Sequence, residues 1–254
     1  MKGEGQPAGL SDLEVERYSR QLVLAEMGEE AQLRLRQATV AVVGCGALGS
    51  AAAPYLAGAG VGRVLLFDPD LVEVHNLHRQ VHFTAADLGA PKAERLARRL
   101  VALNELVTVE PVAEAVGADA LARQLEGADL VLECTDDPQT KFAVNDWTVR
   151  SGRHLVIGGA LGLQGQLLAV GPEGPCYRCV FPAPPATAAA CRTAGVLGPV
   201  AGVVGAMQAL LALSHLAGIG PFLITGRLWD LDARTMRWRE VTFARDPRCP
   251  NHRR

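Results

Sequence analysis

The chain has 254 residues, of which 49% are hydrophobic and 20% charged, and its formal net charge is -2. That is long enough to bury a sizeable core, and near enough to neutral that the chain as a whole carries no electrostatic footprint for nucleic acid. The opening "MKGEGQPAGL" lacks the apolar run of a signal peptide, so a cytoplasmic protein is expected, and its six cysteines are expected as thiols or metal ligands rather than disulfides.

"SDLE" at Ser11–Glu14 has the pattern of a capping box opening a helix, with Tyr18, Leu22 and Ala25 on one face. A second short helix, "EEAQLRLRQ", follows. "TVAVVG" is a β-branched run stopped by glycine and predicts a buried strand. Helix "ALGSAAAPYLAGAG", strand "RVLLFDPD", helix "APKAERLARRLVALN" and strand "VTVEPV" continue the alternation. A helix near Ala118–Glu126, strand "DLVLECTDD", helix "PQTKFAVNDWTVRSG" and strand "HLVIGG" complete it. Five such alternations predict a doubly wound, Rossmann-like, mostly parallel α/β sheet.

Beyond Gly159 the pattern changes. "GQLLAVGPEG" predicts a strand and turn, "FPAPPATAAACRTAG" an exposed crossover loop, and "MRWREVTF" a half-buried antiparallel strand. "VLGPVAGVVGAMQALLALSHLAGIG" is long enough to weigh as a membrane span. Pro199, Gln208, Ser214 and His215 favour a buried core helix instead, so no membrane partner is expected.

"VVGCGALGS" sets Gly44, Gly46 and Gly49 in G-x-G-x-x-G spacing between a strand and a helix. Glycines let the backbone approach a phosphate, and the helix N-terminus favours negative charge. Asp68 ends the next strand, where an acidic side chain can hold ribose hydroxyls. This loop predicts a nucleotide without separating NAD from ATP. "DPDLVEVHNLHRQ" then supplies Asp70, Asn76, Arg79 and Gln80, and Lys92 opens the next helix. Two cations downstream of the loop favour a triphosphate, which needs more neutralisation than a pyrophosphate bridge. In "ECTDDP", Asp136 is placed as a magnesium ligand and Asp137 as a helix N-cap.

"CYRC" and "CPNH" give two pairs of two-residue spacing, Cys176 with Cys179 and Cys249 with His252, each bounded by glycine or proline turns. Together they predict a structural Cys₃His zinc site. Cys191 stands apart in the crossover loop beside Arg192, as either an inert thiol or a nucleophile.

The motifs "RYSRQ", "GCGALGS", "DPDLVEVHNLHRQ", "GAPKAE", "ECTDDP", "CYRC" and "CRTAGVLGP" occur in this order. In them the chain resembles the HesA/MoeB/ThiF family of ubiquitin-activating-enzyme-like adenylyltransferases, from about Leu13 to the end. The resemblance implies a homodimer that uses ATP and Mg²⁺ to adenylate the C-terminal Gly-Gly carboxylate of a small ubiquitin-like sulfur carrier. The adenylate is a step towards a thiocarboxylate for molybdopterin, thiamine or related biosynthesis.

It further implies that Gly44, Gly46, Ala47 and Gly49 cradle ATP, with Asp68 on the ribose. Asp70, His75, Asn76, Arg79, Gln80 and Lys92 would line the nucleotide, and Asp136 and Asp137 its magnesium end. Arg20 would reach the phosphates of the partner subunit's ATP, and Cys191 would match a loop cysteine that some members use in sulfur transfer. Two departures stand out: His252 replaces the last zinc cysteine, and "TDD" replaces the usual "TDN". No rhodanese-like domain is recognised, so a separate sulfur donor, such as a cysteine desulfurase or rhodanese, is expected.

Residues 1–10 are expected to form a flexible N-terminus and 11–254 one ATP-binding domain. Its nucleotide-binding part would span about 38–160, its crossover loop about 182–197, and its C-terminal strands and zinc site 222–254. Two other readings are an NAD(P)-dependent oxidoreductase on the same loop and a non-catalytic, zinc-stabilised binding module.

Overall fold

The computed structural model describes residues 9–117, 121–184, 195–220 and 225–252. Helix α1 (Asp12–Leu22) starts at the predicted capping box, with Ser11 and Glu14 exchanging side-chain-to-backbone hydrogen bonds. Tyr18 is buried, and its hydroxyl accepts from Asn104 Nδ2 at 2.9 Å. Ala25, expected on the same face, lies past the helix end and is exposed. Helix α2 (Gly28–Gln37) then leads into the sheet.

The strands are β1 (Thr39–Val43), β2 (Arg63–Phe67), β3 (Thr108–Val112), β4 (Leu130–Glu133), β5 (His154–Leu161), β6 (Gln164–Val170), β7 (Arg227–Asp232) and β8 (Arg237–Thr242). They form one sheet in the order β3-β2-β1-β4-β5-β6-β7-β8. The first five are parallel, and β6 to β8 extend the sheet antiparallel. Val40, Val42, Leu130, Leu132 and Val156 are fully buried. Each such side chain contributes roughly 1.5–3 kcal/mol of apolar transfer, which is why continuous apolar runs become central parallel strands.

Helices α3 (Gly49–Gly58), α4 (Lys92–Leu103), α5 (Leu121–Gln124) and α6 (Pro138–Ser151) supply the crossovers. α5 falls within the stretch expected to be helical near Ala118–Glu126; residues 118–120 lie outside the described residues. α7 (Tyr177–Val180) is a single turn, and α8 (Gly198–Ala217) is the long apolar helix. By length and composition α8 could cross a membrane, yet 56% of its most apolar window is buried inside the chain. Gly205 brings α8 against the β1–α3 turn, where a Cβ would fall 2.4 Å from the Leu48 carbonyl oxygen. It is a core helix, as its interspersed polar residues suggest.

Strand β8 differs from expectation. All six of its residues are exposed. Its alternation sorts side chains to two faces, but β8 is the edge strand, and its residues keep both faces in solvent.

Candidate functional site

Between β1 and β4 the chain order of the parallel strands reverses, and the C-terminal ends of β1, β2 and β4 share one edge. That is where doubly wound sheets bind ligands. Gly44 follows β1 with φ +94°, a backbone conformation that L side chains rarely adopt; a Cβ there would lie 3.0 Å from the Cys134 and Thr135 backbone. Gly49 opens α3, and a Cβ on it would sit 1.8 Å from the Gly44 carbonyl oxygen. Gly46 is different: a Cβ there would meet only Gln80 Nε2, at an ordinary 3.6 Å. Packing therefore requires Gly44 and Gly49, whereas Gly46 leaves space. Ala47 lies in the same turn and is half-buried.

Asp68 follows β2 and is buried. Its Oδ2 accepts from the Cys45 amide at 2.6 Å and its Oδ1 from the Asp70 amide at 2.8 Å. Burial raises its pKa, opposed by the Lys92 charge and by the two amides. Lys92, the first residue of α4, is buried and donates to Asp70 Oδ2 at 2.8 Å. Asp68, Asp70 and Lys92 thus form one charged group beside the glycine turn. Burial also pushes the Cys45 thiol well up, and Cys134 is buried too, as expected of packing cysteines.

On the neighbouring loop, Asn76 is buried and its Oδ1 accepts the Glu73 amide at 3.2 Å. His75 is exposed beside Glu73. Arg79 donates to the His75 carbonyl at 2.8 Å and touches the His78 ring. The N-terminus of α8 buttresses this segment: a Cβ on Gly198 would fall 2.8 Å from the His78 carbonyl. Gln80 is buried, and its Oε1 has no hydrogen-bond partner among the described residues.

Asp136, after β4, is exposed. Asp137 caps α6, its Oδ2 accepting from the Thr140 amide at 2.9 Å and from Thr140 Oγ1 at 2.8 Å. Its charge therefore faces a helix N-terminus. Arg20 is exposed in the last turn of α1. Cys191 lies outside the described residues, as does most of the expected crossover loop and of the N-terminal segment 1–10.

Sequence reasoning missed the groups beneath this edge. Glu133 ends β4 fully buried, paired with Lys141 of α6 and accepting from both the amide and the hydroxyl of Thr135. Burial raises its pKa, and Lys141 and Thr135 oppose the rise. Gln208 of α8 donates to the Glu133 and Val156 carbonyls at 2.9 and 3.2 Å. The signal was present: a lone carboxylate closing the apolar run "LVLE", and a lysine one α6 turn beyond the cap.

The second cluster brings both predicted pairs together. The ligand atoms of Cys176, Cys179, Cys249 and His252 all lie within 4.8 Å of one another. The pairs sit on short helical turns, α7 and a 3₁₀ turn at Pro250–His252, rather than in open loops. Cys176 Sγ and Cys249 Sγ are 3.7 Å apart, against about 3.8 Å for an edge of a tetrahedron with zinc–sulfur bonds near 2.3 Å. His252 Nε2 is buried without a hydrogen-bond partner among the described residues. Burial and the adjacent Cys176 sulfur push the Cys249 thiol up to about 12. Four soft or borderline donors around one point, one an orphaned ring nitrogen, fit zinc. The five described cysteines are all free thiols.

The sheet order defines an α/β protein of the doubly wound class, with a glycine turn at the edge where such sheets bind ligands. The profile of the ThiF family matches residues 18–251, and the chain belongs to that family. It is 44% identical over 245 residues to a sulfur carrier protein adenylyltransferase of Thermus thermophilus, covering 93% of this chain and 90% of that one. It is 38% identical over 243 residues to the sulfur carrier protein ThiS adenylyltransferase of Escherichia coli, covering 95% and 96%. Against the adenylyltransferase and sulfurtransferase MOCS3 of Bos taurus it is 47% identical over 229 residues, covering 89% of this chain but only 50% of the relative. The chain thus spans about half the length of that relative. Among solved structures, Escherichia coli MccB with MccA-N7isoASN superposes with a TM-score of 0.83 at 23% identity, over 92% of this chain and 73% of that one, a likeness of fold.

Proposed function

We propose that this protein adenylates the C-terminal Gly-Gly carboxylate of a small ubiquitin-like sulfur carrier, using ATP and Mg²⁺ and releasing pyrophosphate. The observation that carries the reading is the turn at Gly44–Gly49: Gly46 leaves room for a ligand beside the unpartnered Gln80 Oε1, and buried Asp68 and Lys92 lie next to it. Membership of a family whose relatives are named sulfur carrier adenylyltransferases supports it.

In this reading Asp68 holds the ribose, while Asn76, Arg79 and Lys92 contact the phosphates. Lys92 would then exchange its Asp70 partner for a phosphate oxygen. Asp136 would hold the magnesium that accompanies ATP, which would neutralise phosphate charge. The carrier carboxylate attacks the α-phosphorus, the new oxygen–phosphorus bond forms, and the bond to the β-phosphate breaks. A carboxylate is already ionised at neutral pH, so no side-chain base is needed. Catalysis is positioning and charge neutralisation, which suits a site of Arg, Lys and Asp without a triad.

The protein acts as a cytoplasmic homodimer, with Arg20 serving the partner's ATP; exposed Val23 and Leu24 beside Arg20 suit such a contact. A separate protein donates the sulfur, with Cys191 as a candidate acceptor. Zinc held by Cys176, Cys179, Cys249 and His252 is structural, because four ligands leave no position for water.

The test is ATP–pyrophosphate exchange with a purified carrier ending in Gly-Gly. Exchange should require both ATP and the Gly-Gly end, and Asp136→Asn or Arg79→Ala should abolish it. Tight NADH binding without ATP·Mg²⁺ binding would instead favour an oxidoreductase.

A further inference from the structure

Helix α6 begins beside Asp136 and runs to the cysteine cluster, where one of its carboxylates reaches both halves of that cluster. Asp146 Oδ1 accepts from Arg178 Nε at 2.6 Å and from Asn251 Nδ2 at 2.7 Å. Its Oδ2 accepts from Arg178 Nη2 at 2.7 Å. Arg178 lies between Cys176 and Cys179, and Asn251 between Cys249 and His252. Cys176 and Cys249 are 73 positions apart in the chain, yet one carboxylate holds both ligand-bearing turns.

The neighbouring groups reinforce this. Asn145 Oδ1 accepts the Tyr177 amide at 2.9 Å, a second tie from α6 to the first turn. Asn251 Nδ2 also faces Cys176 Sγ at 3.6 Å, crossing from the second turn to the first. The Arg178 guanidinium lies 4.7 Å from the centre of the Phe142 ring. The Asp146 and Arg178 side chains are only 18% and 20% exposed, so this bidentate pair is shielded and fixed.

We propose that Asp146 is a positioning residue that assembles the Cys₃His quartet before metal enters, an inference that rests on the zinc reading above. A metal that must first gather two separate segments works against their conformational entropy. Asp146 supplies that ordering through protein contacts alone. The binding free energy of the metal is then left largely for ligation rather than for folding the site.

The experiment combines chelator competition with hydrogen exchange on the full chain. Asp146→Asn keeps the side-chain shape but loses the charge and one acceptor. It should weaken Zn²⁺ affinity about 10- to 100-fold, as loss of a ligand-orienting partner does. Asn251→Ala, at a half-exposed position, should act in the same direction by less. In metal-free wild-type protein the Cys249 and His252 amides, which donate to the Asp246 and Cys249 carbonyls, should stay protected from exchange; in Asp146→Asn they should not.

Co²⁺ loading gives the geometry. A tetrahedral spectrum in both variants, with faster release to chelator, supports a positioning role. Wild-type Zn²⁺ affinity in both variants, with unchanged melting, overturns the proposal. So does a metal-free wild type that leaves these amides unprotected. Should Asp146→Asn fail to fold, Asn251→Ala and the wild-type exchange data decide. Should the wild type bind no Zn²⁺, the zinc assignment itself falls, and exchange alone decides whether Asp146 holds the turns.

Discussion

Glu133 and Lys141 form a buried ion pair under the edge where β4 ends: the carboxylate is fully shielded, and the ammonium also donates to the Gly158 carbonyl at 2.8 Å. Through Thr135 the same carboxylate shapes the turn that presents Asp136. Removing one charge strands the other. Glu133→Gln should therefore cost roughly 3–5 kcal/mol of stability, read by denaturant unfolding. Glu133→Gln with Lys141→Met should recover most of that stability without recovering ATP–pyrophosphate exchange. Recovery of both would reduce the pair to a structural element.

The glycines separate packing from ligand space. Gly49→Ala must displace the Gly44 carbonyl from 1.8 Å and should lower stability by about 1–3 kcal/mol. Gly46→Ala meets nothing closer than 3.6 Å and should melt like wild type while losing ATP affinity. Calorimetry of both variants checks this; unchanged ATP binding in Gly46→Ala would remove the loop as the phosphate cradle.

The proposed sharing of a site between subunits gives a mixing experiment. Arg20→Ala and Asp136→Asn should each be inactive, but subunits re-associated in equal amounts should regain about a quarter of wild-type exchange, since half the dimers then carry one intact site. No regain would place Arg20 in its own subunit's chemistry, and an active Arg20→Ala variant would place it outside the chemistry.

His154, at the start of β5, and His215, in the last turn of α8, lie with ring centres 4.0 Å apart and ring planes tilted at 46°. Burial and the His154 charge lower the His215 pKa to about 4, and burial lowers that of His154. The unfolded chain, with an ordinary value of 6.5, binds more protons between about pH 6.5 and 4. Stability is thus fully present above pH 6.5 and falls with acid across that window. His215→Phe should flatten the melting temperature against pH there; an unchanged slope would count against the pair.

Metal removal has a local outcome. Purified protein should hold about one zinc per chain, as a single four-ligand site requires. His252→Ala should bind it more weakly, by direct metal analysis after dialysis against chelator. Equal retention would take His252 out of the ligand set.

Much of this was legible in the chain. The capping box at Ser11, the apolar strands, the glycine turn and both ligand pairs are local patterns, set by hydrogen-bonding chemistry and periodicity within a few residues. Asp137 as the α6 cap is of the same kind. Less local features were misjudged or unseen. Ala25 could not be placed because the helix stops at Leu22, and β8 could not be seen as an edge strand until its neighbours were known.

The sequence by itself determined the doubly wound order, the nucleotide turn and the two candidate ligand pairs, because each depends on spacing along the backbone. Only the tertiary structure decided that the two pairs meet, that Asp146 ties them together, and that Lys141 neutralises Glu133 beneath Asp136. Those contacts join segments far apart in the chain or residues on different elements. Burial there makes an unpaired charge or an orphaned donor costly, so the fold fixes the partners that spacing leaves open.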